Sequence, residues 1–362
     1  MKTTKSIVPS PATTQVEAAE AHETRSAGIL SIKSANEWID ESMKNPDPKM
    51  FFHNLIVQYE NTVLFASSNV GKSILATQVC EDIAKTEKVL YLDLELSAKQ
   101  FQMRYTDPAT GKVHRFPSNF SRAEINPERM IDGDLSQATL DSIEEAAQSG
   151  IKFFVIDNIT FICNDIERGK KAGDFMKKLI RLKKKYDLTS IVIAHTPKRR
   201  GWKPITQNDL AGSAKLINFF DAGIALARSA NGANFRYLKQ VKVRTGEFFY
   251  DSDNVLILEV NKDNGFLKFD IVGTGLEDEH LNKIEEAASI DDELITILKM
   301  HKSGMSIREI AEATDYGKST IQRRLAEASK NNVTIPEEES VPDVPCGTVG
   351  HVGQSEPMND NV

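Results

Sequence analysis

The stretch VLFASSNVGKSILAT, residues 63–77, decides how this chain is read. An apolar run ends at Ala66, a polar loop follows, and Gly71-Lys72-Ser73 opens a segment with apolar residues at Ile74, Leu75, Val79 and Ile83. Strand, loop and helix in that order fit the phosphate-loop pattern G-x-x-x-x-G-K-[ST], with Ala66 standing where the first glycine would be. In such a loop the backbone N–H groups wrap phosphates, the lysine reaches the β/γ oxygens and the hydroxyl binds Mg²⁺. The nucleotide-facing set is then Ala66, Ser67, Ser68, Asn69, Val70, Gly71, Lys72, Ser73 and Ile74. One methyl at a strand end asks for no unusual backbone, and Asn69 tolerates a left-handed conformation. The plain alternative is a chance Gly-Lys-Ser at a strand–helix junction. A second such triplet, in DYGKST, follows a helix and has Glu312 at the opening position, so it is not a phosphate loop.

Working outward, KVLYLDLEL, KFFVID and TSIVIAH read as further buried strands, with amphipathic helices between them. Continuous apolar strands alternating with helices indicate a parallel sheet covered on both faces. Beyond Gly212, DAGIALAR, FRYLKQVKV and NVLILEV predict an antiparallel extension. Asp157 ends KFFVID and suits a carboxylate that holds magnesium together with Ser73. Its neighbour is Asn158, so the water-activating carboxylate must come from elsewhere. Glu95 in YLDLEL is the candidate, on a strand expected beside the phosphate-loop strand; a solvated strand-end carboxylate is its plain alternative.

This constellation resembles the RecA-like ATPases, particularly the hexameric replicative helicases of the RepA and DnaB type, over residues 50–272. In that family the strand after the phosphate-loop helix ends in a catalytic glutamate, as YLDLEL does at Glu95, and ELSAKQFQMR is similar to the segment that follows it. IVIAHTPK places His195 where the family has a γ-phosphate sensor, GSAKLINFFDAGIAL resembles the stretch after the sensor loop, and KQVKVRTGE matches a K-x-R element at Lys242 and Arg244. The resemblance implies an α/β RecA-like core with a mostly parallel central sheet, ATP and Mg²⁺ as cofactors, and a homo-oligomer, a hexameric ring. It also implies a catalytic set of Glu95, Lys72, His195, Lys242 and Arg244, the last two reaching the ATP of a neighbouring subunit. A trans arginine is worth roughly 10³–10⁵ in rate. The bland alternatives are a strand-end histidine satisfied in the core and an exposed basic strand. Ala66 and the lack of a counterpart to the DnaB-type N-terminal helical domain depart from the family.

Two segments are candidates for contact with DNA. TPKRRGWKPITQNDLAG follows the fourth strand and offers Lys198, Arg199, Arg200 and Lys203 for a single-stranded backbone and Trp202 for stacking, unless it is merely a solvated basic loop. Near the end, Ser306 and Glu309 form a capping box, and Ile307, Ile310, Ala311, Ile321 and Leu325 supply a buried face. That pattern resembles the helix-turn-helix domains of resolvases and small repressors, a small all-α domain. It would present Lys318, Ser319, Thr320, Gln322, Arg323 and Arg324 to duplex DNA. Three-helix units of this size also serve as protein docking modules.

The expected organisation is a disordered segment at 1–28, an ATPase domain at 29–275, a helix-turn-helix domain at 286–330 and a disordered acidic tail at 331–362. The chain has 362 residues, 40% hydrophobic and 27% charged, with a net charge of −7 that masks a basic stretch at 176–203 and an acidic tail lacking Lys and Arg. No apolar run is long enough for a membrane span, the first residues lack the apolar core of a secretory signal, and the three cysteines have no metal spacing. A cytoplasmic protein with no membrane partner is expected. The function expected is an ATP-hydrolysing DNA translocase or helicase of a plasmid, mobile element or phage. The alternatives are an ATP-switched DNA-binding regulator and a recombination mediator.

Overall fold

The computed structural model describes residues 25–330 apart from 127, 129–134, 164–167, 198, 212–215 and 315. The expectations for residues 1–24 and for the tail at 331–362 lie outside the described residues, as does Lys198. In chain order the strands are β1 (Arg25–Ala27), β2 (Leu30–Ile32), β3 (Met50–Phe51), β4 (Ile56–Val57), β5 (Asn61–Ala66), β6 (Val89–Asp93), β7 (Phe120–Ala123), β8 (Phe153–Asp157), β9 (Thr189–His195), β10 (Ala222–Arg228), β11 (Phe235–Lys242), β12 (Val255–Asp263) and β13 (Phe266–Gly275). The helices are α1 (Ala35–Ser42), α2 (Lys72–Ile83), α3 (Ala98–Arg104), α4 (Leu135–Gln148), α5 (Ile159–Ile162), α6 (Arg168–Tyr186), α7 (Lys283–Lys302), α8 (Ile307–Ala313) and α9 (Lys318–Lys330).

One sheet dominates, in the order β13-β12-β11-β10-β5-β9-β8-β6-β7. Strands β7, β6, β8, β9, β5 and β10 run parallel, and β11, β12 and β13 continue antiparallel. Every residue of β5 and β8 is buried, as strands covered on both faces require. One face packs α4, α5 and α6 through Phe175, Met176, Leu179 and Ile143, while α2 lies on the other through Leu75, Val79 and Ile83.

One expectation about neighbours is overturned. β6, which leads to Glu95, does not lie beside the phosphate-loop strand β5, because β9 and β8 stand between them. The β5–α2–β6 crossover skips two places that later strands fill. All four strands are similarly apolar, so pattern alone does not order them.

β13 went unread as a strand, and its hairpin with β12 shapes the phosphate loop. Asn264 (φ 50°) and Gly265 (φ 85°) make the turn, the positive-φ pair that two-residue hairpins favour. A Cβ on Gly265 would sit 2.7 Å from the Lys112 carbonyl oxygen, so the tip docks closely on the loop at 105–112. β13 also packs on α2, where Gln78 exchanges two 2.8 Å hydrogen bonds with the backbone of Phe269.

The predicted capping box of Ser306 with Glu309 is present before α8, and Ser34 with Glu37 forms another before α1. Helices α7, α8 and α9 share their own small core of Ile297, Ile310 and Ile321. They are tied to the sheet side by Glu293 on α7, which accepts from Arg200 (2.8 Å) in the loop after β9, from Arg324 (3.2 Å) on α9 and from Tyr316. No helix of the described residues is long and apolar enough to cross a membrane.

Candidate nucleotide site

β5 delivers the loop. Ala66, its last residue, is fully buried among apolar neighbours and pairs in register with His195 of β9. Its φ is not positive, whereas Asn69 has φ 58° and Gly71 φ 115°. The left-handed conformation therefore falls on the asparagine and on the second glycine, and Ala66 is held where any residue fits. Gly71 is required twice over: an added Cβ would lie 2.6 Å from the ring of Phe269, itself 1% exposed, in a backbone region that L side chains avoid. Gly71→Ala is accordingly expected to destabilise the fold by about 2–3 kcal/mol, read as a shift in the denaturant midpoint at unchanged slope.

α2 starts at Lys72 with Gly71 as its N-cap and no side-chain cap, so the first-turn N–H groups stay free to meet an anion. Lys72 is 7% exposed and folds beneath the loop, donating to the carbonyls of Ala66 and Ser67 (3.1 Å each) and lying 3.2 Å from His195 Nδ1. Burial lowers its pKa, and the charges of Asp157 and Glu95 oppose that fall.

Asp157 ends β8, 3% exposed, where Tyr91 Oη donates to it at 2.6 Å and Ser73 hydrogen-bonds to it. Burial raises its pKa; the hydrogen bonds of Ser73 and Tyr91 counter this, and Glu95 and Asp93 add to it. A buried carboxylate beside other carboxylates is eased by a cation. A hydroxyl and a carboxylate facing a phosphate loop are the hard-oxygen donors that Mg²⁺ takes while keeping waters and phosphates as its other ligands.

Glu95 lies two residues beyond β6 in a turn built by Asp93, whose Oδ1 accepts from the backbone N–H of Leu96 (2.9 Å) and of Glu95 (3.3 Å). Arg122 on β7 fixes that turn, donating from Nε to Asp93 Oδ2 at 2.9 Å and from Nη2 to the Leu96 carbonyl at 2.5 Å. Asn158 then joins the parts. Its Nδ2 donates to Glu95 and lies 3.1 Å from His195 Nε2, while its Oδ1 caps α5. Burial and neighbouring Lys72 hold the pKa of His195 below the usual histidine range, opposed by Glu95, so the ring is neutral near pH 7.

Lys72, Ser73, Glu95, Asp157 and His195 thus arrive at one cleft of about 500 Å³ beside loop residues 68–74, with Arg104, Arg236 and Val260 in the same wall. Sequence reasoning did not single out Tyr91, Asp93, Arg122, Arg104 or Arg236, and read Asn158 only as an absent acid. The one local signal was Asp93 two residues before Glu95, an Asx-turn spacing.

Lys242 and Arg244 are not in this cleft. β11 runs antiparallel to β10, so they emerge at the end of the sheet where β5 begins. There Lys242 donates to the Ile217 carbonyl (2.9 Å) and Arg244 to Asp221 (2.9 Å), with the Arg244 side chain 58% exposed.

Of the loop cations after β9, Arg199 turns inward, 14% exposed, towards Asp209 and the Lys203 carbonyl. Arg200 lies 5.3 Å over the Trp202 ring as well as against Glu293, and Lys203 is exposed. On α9, Lys318, Ser319, Gln322 and Arg323 are exposed and Thr320 is half-buried, whereas Arg324 turns in over the Tyr316 ring.

Residues 30–201 match the model of the AAA domain family. The chain carries an AAA-type P-loop ATPase domain. Among solved structures, a DnaB-like replicative helicase, described with its interactions with primase, superposes at TM-score 0.50 with 14% identity, over 66% of this chain and 68% of that one. A separately solved ATPase domain (TM-score 0.49, 13% identity, 64% and 95% covered) and a KaiC-like protein of the hyperthermophilic archaeon Pyrococcus horikoshii OT3 (0.43, 15%, 60% and 94%) also match. No curated protein matches the chain in sequence. The P-loop ATPase fold is RecA-like, with a mixed, mostly parallel sheet followed by α7–α9.

Proposed function

We propose that this P-loop ATPase is a ring-forming, ATP-driven DNA translocase or helicase of the DnaB type. The observation that carries the reading is the convergence of Lys72, Ser73, Asp157, Glu95 and His195 on one cleft, while Lys242 and Arg244 stand at the other end of the sheet. Cations so placed have no role in their own subunit's cleft and are available to a neighbour's.

In the cleft, Lys72 would leave the Ala66 and Ser67 carbonyls for the β/γ-phosphates. Ser73 and Asp157 would hold Mg²⁺, which supplies charge neutralisation at the phosphates when bound. Glu95 would orient and deprotonate the attacking water, kept in place by the Asp93–Arg122 turn and by Asn158. His195, touching Lys72 on one side and Asn158 on the other, would report phosphate occupancy to the loop that follows it. Trp202 and the exposed Lys203 would meet single-stranded DNA there, and the exposed face of α9 would meet a duplex in a separate domain at 286–330.

The test is ATP hydrolysis with and without single-stranded DNA. Stimulation by single strands is expected, and Arg244→Ala should lower the stimulated rate by at least about 10³ while leaving ATP affinity within a few-fold. A slow rate indifferent to single strands and to Arg244 would overturn the motor. It would favour the ATP-switched DNA-binding regulator, for which the Glu293 tie between the sensor loop and α9 is the supporting observation.

A further inference from the structure

Two arginines face the phosphate loop from the side away from Glu95, Asp157 and His195. Those three come from the β9, β8 and β6 side of β5, whereas Arg228 ends β10 and Arg236 lies on β11, on the other side. Arg228 and Arg236 are directly opposite in the antiparallel register. Both reach the loop backbone: Arg228 Nη2 donates to the Asn69 carbonyl and Arg236 Nε to the Val70 carbonyl, each at 2.9 Å. Arg236 Nη1 also donates to the carbonyls of Ala233 (2.8 Å) and Phe235 (2.7 Å).

This arrangement is electrostatically costly. Like charges directly opposite on a strand pair destabilise it, and a desolvated cation is normally kept only with an anion. Arg236 is 7% exposed, and among the described residues neither arginine has a carboxylate partner. Burial lowers the pKa of Arg236, and Arg228 lowers it further. Carbonyl acceptors do not call for a formal charge, since neutral amide donors can satisfy them. Among the described residues Arg236 Nη2 makes no hydrogen bond, and its side chain lines the same cleft as Gly71, Lys72 and Ser73.

We propose that Arg236, with Arg228 beside it, is a further ligand of the nucleotide, receiving phosphate charge from the β10–β11 side of the loop within the same subunit. The proposal rests on the reading of the cleft as a nucleotide site. Phosphate entering between Lys72 and Arg236 supplies the missing counter-charge, and the carbonyl contacts hold the guanidinium ready for it. Arg236 thereby makes the outer wall of the phosphate loop as basic as its inner one.

The experiment measures ATP and ADP affinity of the full chain by displacement of a fluorescent ATP analogue, with Lys72→Ala, Arg236→Gln, Arg236→Lys and Arg228→Gln beside the wild type. Arg236→Gln is expected to weaken both nucleotides about 10- to 100-fold, the scale of a charged hydrogen bond. Arg236→Lys should recover a large part of that loss, because it keeps the charge while losing the fork on three carbonyls. Arg228→Gln, exposed and so safe for folding, should weaken binding about 3- to 10-fold and answers the question if Arg236→Gln does not fold. Arg236→Lys binding as weakly as Arg236→Gln, with Arg228→Gln unchanged, would make the pair a brace for the loop and overturn the proposal. So would wild-type nucleotide affinity with a loss confined to DNA binding. Failure of the wild type to bind ATP, or indifference to Lys72→Ala, would bring down the nucleotide reading itself and this proposal with it.

Discussion

Glu95→Gln is expected to lower ATP turnover by at least about 100-fold while ATP affinity stays within about threefold of the wild type. The amide keeps the size and hydrogen-bonding reach of the carboxylate but cannot take a proton from water. Asn158 Nδ2, which donates to Glu95, still finds an oxygen acceptor. The turn that carries residue 95 is held by Asp93 and Arg122 through the backbone of residues 95 and 96, so its geometry survives. Single-turnover hydrolysis against equilibrium ATP binding separates the two effects. Equal losses in both would mean that Glu95 serves the shape of the cleft and not its chemistry. Asp93→Asn is a milder companion, since it weakens the Arg122 pair yet keeps an acceptor for the turn.

Lys72→Met is expected to abolish measurable ATP binding, a loss of at least about 100-fold, and to leave the unliganded fold as stable as before or slightly more so. Without nucleotide the ammonium is desolvated, with two carbonyls and a histidine nitrogen as its contacts. An apolar side chain of similar length removes that burden, and replacing buried charge by packed apolar volume is often neutral or stabilising. The sign of the pH dependence follows. With the folded-state pKa lowered, the unfolded chain binds more protons between that value and the ordinary lysine value of 10.5, so wild-type stability gains with rising pH in that window. The advantage of Lys72→Met should therefore be greatest below that window and shrink as pH rises through it towards 10.5. Urea midpoints of both proteins at pH 7 and pH 9.5 check it. A variant that is clearly less stable at pH 7 would show that Lys72 holds the empty loop together.

How much of this was legible beforehand depended on whether the cause was local. The capping box at Ser306, the helix after Gly71 and the apolar runs of the strands are signalled by residues close in sequence, and the structure has all of them. Asn69, a residue type that tolerates the left-handed conformation, adopts it with φ 58°. The strand at 266–275 was missed because FLKFDIVGTG alternates weakly and ends in glycines, and its place is decided by pairing with β12 and by packing on α2. Arg199 and Arg324 read as free cations by composition, yet their partners, Asp209 and Glu293, lie on segments whose nearness only folding creates.

Residue order alone determined that β5, a loop and α2 make a phosphate site, and that Asp157, Glu95 and His195 end apolar runs where they can reach it. The periodicities and the glycine that set those elements are written within a dozen residues of one another. Only the tertiary structure decided which strands neighbour which: β9 and β8 came between the loop strand and the one leading to Glu95, and β11 turned Arg236 into the cleft and Lys242 away from it. Apolar strands bury almost equally well in any order, so composition hardly distinguishes the arrangements. The crossovers, the docked hairpin and the charges that must find partners do.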